Sequence, residues 1–209
     1  MKVWHFLPLI SAPMPFQMTV DETLFRSRLE AAEKEILPPI LRFYLASEPW
    51  ISVGYSGSAD APEGGIPVCR RITGGGRVLH GKDLIFSLVA HKGAHESFRE
   101  VRASYVAIHT AVKLGLEKAG RKPRFYRCTE NLPKGGDCFR FPIPSDLAVD
   151  GRKAAGGAQK RSRGILLHQE SVQFEGMDRE RLREALETAF AEVFGVSLIP
   201  QDLDPELIL

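Results

Sequence analysis

Three consecutive glycines, Gly74-Gly75-Gly76, stand between two short strand-like runs, Val68 to Arg71 and Val78 to His80. Glycine loses more conformational freedom on folding than any other residue, so three in a row are costly unless something must approach the main chain closely there. The chain is therefore expected to fold around a bare backbone loop that admits a ligand to main-chain amides. Arg70, Arg71 and Arg77 flank the loop, and guanidinium groups favour an anionic or carbonyl-bearing ligand. The loop is not a dinucleotide fingerprint, because its spacing differs and a strand rather than a helix follows. A flexible hairpin connection is the plain structural alternative.

The surrounding pattern is α+β. Val3 to Leu9 reads as a strand, and Phe16 to Glu33 as a helix, with Val20, Leu24 and Leu29 at near-helical spacing before Pro38-Pro39. Leu41 to Leu45, Ile51 to Tyr55, Val68 to Arg71, Val78 to His80 and Asp83 to Ala90 read as strands of one sheet. Ser97-Phe98-Arg99-Glu100 has the form of a capping box, predicting a helix to about Ala119, ahead of Gly120 and Pro123. Asp146 to Val149, the turn Asp150-Gly151 and the residues from Arg152 predict a hairpin, followed by a strand from Ile165 to Phe174. Asp178 caps a last amphipathic helix through Phe194, which Gly195 ends. The expectation is a mixed, mainly antiparallel sheet with helices packed on it.

At 209 residues and 44% hydrophobic, the chain can bury the core of one domain, expected to span 1–209 without a C-terminal accessory domain. A net charge of +2 does not by itself imply nucleic acid as a partner. The N-terminus is interrupted by prolines and lacks a cleavage pattern, and no apolar run approaches the roughly 20 residues of a membrane span. Three cysteines without CxxC spacing argue against a disulfide framework or a structural zinc site. The reading is a soluble, cytoplasmic protein with no metal and no membrane partner.

Two further segments carry chemistry. In Asp150-Gly151-Arg152-Lys153-Ala154-Ala155-Gly156-Gly157-Ala158-Gln159, a lysine leaves a tight turn and enters a strand of small residues, as if its walls were cleared for a substrate. A solvated surface lysine is the bland reading of Lys153 alone. Cys138 lies in the loop-like Gly135-Gly136-Asp137-Cys138-Phe139 ahead of that hairpin. A free cysteine is more often a small buried hydrophobe, but an ammonium close by would favour the thiolate and make it nucleophilic. Cys69 and Cys128 lack such company and are assigned to packing.

These segments together resemble a known superfamily. Arg70-Arg71-Ile72-Thr73-Gly74-Gly75-Gly76-Arg77-Val78-Leu79-His80, followed by Asp83-Leu84-Ile85-Phe86-Ser87, is similar to the signature loop of lipoate protein ligases and cysteine-dependent octanoyltransferases. Lys153, Gly156, Ala158 and Gln159, with Gly164-Ile165-Leu166-Leu167-His168 behind them, resemble the second motif, which carries the family's substrate-contacting lysine. The segments Phe16-Gln17-Met18, Asp21-Glu22, Leu41 to Tyr44 and Ile51 to Tyr55 resemble the family's opening helix and first strands. The likeness runs to about Phe174.

The resemblance implies the biotin/lipoate ligase catalytic fold, which is class II aminoacyl-tRNA synthetase-like. It implies Cys138 and Lys153 as catalytic residues. Arg70, Arg71, Gly74, Gly75, Gly76, His80, Gly156, Ala158, Gln159 and His168 are implied as substrate-binding. Cys138-Phe139 ahead of Lys153 resembles the Cys-Phe segment that cysteine-dependent octanoyltransferases place before the motif lysine, and the likeness to them is closest there. Arginine at Arg77 rather than at the third glycine departs from their usual loop. The implied reaction moves octanoyl, or lipoyl, from acyl carrier protein to a lysine of a lipoyl-domain protein through a cysteine acyl-enzyme, without cofactor. Implied acceptors are the glycine cleavage H protein and the E2 component of 2-oxoacid dehydrogenases. The basic stretches Arg121 to Arg127 and Lys160 to Arg163 are either solvated faces or a rim for acidic partners. An ATP- and magnesium-dependent lipoate ligase, a biotin ligase, and a non-catalytic module that binds lipoyl domains or acyl chains remain open at this point.

Overall fold

A computed structural model describes residues 2–32, 35–57, 64–126, 146–173 and 176–203. In chain order these form β1 (Lys2–Ala12), α1 (Met14–Ala31), β2 (Ile40–Ala46), β3 (Trp50–Val53), β4 (Val68–Arg70), β5 (Val78–His80) and β6 (Asp83–His91). A 3-10 turn (Glu96–Arg99), α2 (Val101–Lys118), β7 (Arg124–Phe125), β8 (Leu147–Val149), β9 (Arg152–Ser162), β10 (Ile165–Gln173), α3 (Arg179–Phe194) and β11 (Val196–Pro200) follow. The fold is mixed α+β, as the pattern of elements predicts.

The strands make two sheets rather than the single one expected. Eight run in the order β11-β1-β2-β6-β10-β9-β8-β7, antiparallel except where β1 lies parallel to β2 and β11. The other three form β4-β3-β5, so the glycine loop joins the two strands that flank β3. Runs of three or four residues have too little alternation to specify a partner, which is why their separation from the large sheet is invisible locally.

Side-chain alternation feeds a layer on each face of the large sheet. Phe86 and Leu88 of β6 and Leu166 of β10 pack with Ile108 and Val112 of α2 and Leu186 and Phe190 of α3. Val89 and Leu167 face the other way, against Val20, Leu24 and Phe25 of α1. Burial on both faces is why β6 is a nearly unbroken apolar run.

Local signals mostly hold. Asp150 and Gly151 turn at φ 50° and 78°, and Arg163-Gly164 makes a second hairpin at φ 43° and 83°. Asp178 accepts from the Glu180 amide at 2.9 Å, and Gly195 ends α3 at φ 61°. The capping box does not form. His95 Nδ1 accepts from the Ser97 amide at 3.2 Å, and extended backbone at Glu100 separates the short turn from α2. Among the described residues no helix is long and apolar enough to cross a membrane.

Candidate active site

Arg71 explains how a run of glycines holds one shape. Its buried guanidinium donates to Gly74 O at 2.7 Å and Gly76 O at 2.9 Å, and to Ser52 Oγ at 3.0 Å on β3. Gly75 turns at φ 91°, and its carbonyl would lie 2.1 Å from a Cβ at Gly54. Both positions therefore require glycine, one for its conformation and one for the close approach. Thr73 ties the loop to the large sheet by donating to Gln169 Oε1 at 2.7 Å. Arg70, exposed, donates to the carbonyls of Tyr55 and Gly57 at 2.9 and 2.6 Å, bracing the segment after β3.

His80 links the loop sheet to β6. Its Nδ1 lies 2.7 Å from Asp83 Oδ2 and its Nε2 2.8 Å from Ser52 Oγ. Asp83 also accepts from Ser171 Oγ at 2.6 Å and the Gly81 amide at 3.0 Å. Burial alone would raise its carboxyl, but the His80 charge and these hydrogen bonds outweigh burial and hold it below the ordinary carboxylate value.

Beneath the loop is a cavity of about 60 Å³ lined by both polar and apolar side chains. Ser52, Arg71, His80, Lys153, Gln169, Glu170 and Ser171 supply the polar lining, Met14, Met18, Tyr44, Val78 and Ile85 the apolar lining, and the exposed Gly75 also borders it. A buried network braces it. Asp21 of α1 accepts from Arg42 at 2.7 Å, Ser87 at 2.6 Å, Tyr44 at 2.8 Å and Gln169 at 2.7 Å, and Arg42 also donates to Gln17. Burial and the Asp21 charge push the Tyr44 hydroxyl well above its ordinary value, so it stays a donor. Cys69 packs in the same apolar cluster, its thiol pushed up by burial to about 11, which fits the packing role.

Lys153 reaches this cavity from β9, its Nζ 2.7 Å from Asp146 Oδ2, both side chains almost wholly buried. A Cβ at Gly156 would lie 2.4 Å from that Nζ and 2.8 Å from Asp146 Oδ1, so the missing side chain is the space the ion pair occupies. Asp146 is absent from the residues the sequence singles out. The signal was available: a hairpin centred on Asp150-Gly151 sets Ala148 opposite Lys153, with a register shift beside Leu147 that brings Asp146 within reach.

Of the expected site residues, Arg71, Gly75, His80, Lys153, Gly156 and Ala158 line one cavity, and Gly74 and Gly76 shape its roof through Arg71. Gln159 and His168 lie elsewhere, on the α2 face of the sheet. Gln159 Nε2 lies 3.1 Å from both Ser104 Oγ of α2 and His168 Nδ1. Cys138 and Cys128 fall outside the described residues.

His168 belongs to a buried cluster with Glu170 and His109, whose donor atoms lie within 4.8 Å of one another, a set of types that could ligate a metal ion. Its hydrogen bonding fixes a different state. Arg161 Nε, which can only donate, holds Gln159 Oε1 at 3.0 Å, so the amide NH2 faces His168 Nδ1. His168 then carries its proton on Nε2 and donates to Glu170 Oε2 at 2.7 Å, where His109 Nε2 also approaches at 3.1 Å. Burial lowers His168 despite the opposing pull of Glu170. Burial would raise Glu170, but the His109 charge and the hydrogen bonds from His109 and His168 bring it down to about 2.

Residues 13–196 match the family described as the lipoyl protein ligase A/B catalytic domain. The chain is 30% identical over 196 residues to the octanoyltransferase LipM of Lysinibacillus sphaericus, covering 87% of this chain and 69% of that protein. It is 31% identical over 195 residues to the octanoyltransferase LipM of Bacillus subtilis, with 87% and 68% covered. In structure it is similar to a lipoate-protein ligase A bound with ATP, at TM-score 0.79 and 20% identity over 99% of this chain and 91% of that one. It is also similar to a bipartite lipoate protein ligase from Thermoplasma acidophilum, at TM-score 0.75 and 19% identity, with 99% and 89% covered. At such identities the structural likeness establishes the fold.

Proposed function

Because the chain belongs to the lipoyl protein ligase A/B catalytic domain family, we propose that it is an octanoyltransferase, carrying octanoyl, or lipoyl, from acyl carrier protein to a lysine of a lipoyl-domain protein. The observation that carries this reading is the cavity under the glycine loop, lined by apolar side chains and by Lys153, which is paired to Asp146. The acceptors are proteins with lipoyl domains, such as the glycine cleavage H protein and the E2 component of 2-oxoacid dehydrogenases.

The acyl tail lies among Met14, Met18, Val78 and Ile85, leaving the thioester carbonyl near Lys153. The Cys138 thiolate attacks that carbonyl; the donor C–S bond breaks and the carrier departs as its thiolate, which takes up a proton. Through the collapse of the tetrahedral intermediate, the Lys153 ammonium and the loop amides stabilise the oxyanion, an effect of about 3–4 kcal/mol for a well-placed donor. The neutral amine of the acceptor lysine then attacks the acyl-enzyme, an amide forms, the amine loses a proton and Cys138 is released as thiolate. Neither ATP nor magnesium is required, since the thioester is already activated.

Intact mass spectrometry after mixing with octanoyl-acyl carrier protein, without ATP, tests this beside Cys138→Ala and Lys153→Ala. One octanoyl group added to the wild type and absent from Cys138→Ala is the expected result. No adduct, with acceptor modification only when ATP, magnesium and free acid are supplied, would make the protein a ligase.

A further inference from the structure

As the amide forms, the acceptor amine must give up a proton to some group in the cavity. Few of the described lining residues can take it. Arg71 and the Lys153 ammonium only donate, Tyr44 and Gln169 donate to Asp21, and Ser171 donates to Asp83. Glu170, its carboxyl at about 2, is too weak a base. His80 is left, and imidazole is the side chain that ordinarily changes charge between about pH 5 and 8.

Its neighbours fix where the hydrogens lie. Asp83, held ionised, can only accept, so at 2.7 Å His80 Nδ1 carries the hydrogen, and in the neutral ring Nε2 is the acceptor. Arg71 can only donate, so at 3.0 Å it occupies one lone pair of Ser52 Oγ, and the Ser52 hydrogen points to His80 Nε2 at 2.8 Å. This is the carboxylate, imidazole and hydroxyl order in which a hydroxyl proton passes to imidazole during acyl transfer. The second lone pair of Ser52 is left for a donor in the cavity that Ser52 and His80 line.

Resting on the octanoyl-transfer reading, we infer that Ser52, His80 and Asp83 form the relay that removes the acceptor-lysine proton. As the amine nitrogen bonds to the carbonyl carbon and the Cys138 C–S bond breaks, an N–H proton passes to Ser52 Oγ while the Ser52 proton passes to His80 Nε2. Amide, Cys138 thiolate and a His80 imidazolium result, and Asp83 stabilises the imidazolium until it gives the proton to water. The first half-reaction makes no such demand, because the carrier leaves as a thiolate. Other charges around the ring are Arg71 of the loop, Lys153 with Asp146 from the β8–β9 hairpin, Glu170 of β10, and Arg179 of α3, which donates to the Gly81 carbonyl at 2.9 Å.

The test takes the two half-reactions apart. Octanoyl-enzyme made from octanoyl-acyl carrier protein is mixed with a lipoyl domain, and loss of the octanoyl mass is timed across the imidazole range, about pH 5 to 8. General-base help is worth about 100-fold or more. The ratio of aminolysis to acylation rate should therefore fall about 100-fold in His80→Gln and Ser52→Ala, and Ser52→Thr, which keeps the hydroxyl, should recover most of it. In the wild type the logarithm of the aminolysis rate should rise with pH at a slope of about two, for neutral amine and neutral imidazole together, easing to about one once the imidazole is neutral. His80→Gln should keep a slope of about one throughout. Should His80→Gln fail to fold, the two Ser52 variants decide. Equal falls in both half-reactions, a wild-type slope in His80→Gln, or an octanoyl adduct on Ser52 itself would overturn the relay. A wild type that forms no octanoyl-enzyme would instead remove the octanoyl-transfer reading on which the relay rests.

Discussion

Gly156→Ala separates the fold from the chemistry. Gly156 lies within β9 and is not among the glycines at positive φ, so alanine meets no backbone strain. Its new Cβ would stand 2.3 Å from Lys153 Cε and 2.4 Å from Nζ, about 1 Å inside ordinary van der Waals contact. Those atoms end a flexible side chain, so the ammonium moves and the strand stays. The expected loss of unfolding free energy is that of a modest overpacking, about 1–3 kcal/mol. A reacting group misplaced by about 1 Å can cost roughly 100-fold in rate. Octanoyl transfer should therefore fall about 100-fold while urea unfolding stays cooperative. Because the damage runs through Lys153, adding Gly156→Ala to Lys153→Ala should cost little more than Lys153→Ala alone. Transfer by Gly156→Ala within about threefold of wild type, or full additivity in the pair, would show that Lys153's position over Gly156 is immaterial.

Gly54→Ala should behave differently, because its Cβ would meet the Gly75 carbonyl oxygen at 2.1 Å and Gly74 carbonyl carbon at 2.8 Å, backbone atoms that cannot rotate away; stability and transfer should fall together, as unfolding and rate measurements on one preparation would reveal. Glu170, at about 2 when folded against an ordinary 4.5, contributes on the order of 3 kcal/mol above pH 4.5 that is lost as pH falls toward 2. His168, lowered from 6.5, acts in the same direction, since the unfolded ring takes up a proton first. Urea midpoints should fall from pH 5 to about pH 2.5, less steeply in Glu170→Gln, and equal slopes would refute the assignment. Cys69, with its thiol near 11, should resist iodoacetamide at pH 8 in the folded protein and react in urea, as peptide mass mapping would show.

What the sequence conveyed, and what it withheld, follows from the reach of each signal. The Asp150-Gly151 turn was legible because a tight turn is decided by its own φ angles, 50° and 78°. The requirement for glycine at Gly54 was not, because the atom it must avoid belongs to Gly75, on a loop whose path depends on the pairing of three short strands. Gln159 and His168 are the instructive misplacement. They were grouped with Gly156 and Ala158 through the motif they share, yet strand residues of opposite parity point to opposite faces. Gly156 and Ala158 line the cavity, whereas Gln159 turns toward Ser104 of α2; Gln169 and Ser171 face the cavity, whereas His168 turns toward His109. Parity thus turns the side chains of Gln159 and His168 toward α2, while Gly157 and Glu170, of the same parity, still border the cavity. The face toward α2 carries the chain Arg161–Gln159–His168–Glu170, which fixes a proton position behind β10, the same strand whose other face presents Gln169 to Thr73 of the loop and Asp21 of α1. The second motif thus spans both faces of one sheet, and substitutions at Gln159 or His168 should act through strand position and acid stability rather than through contact with the acyl group.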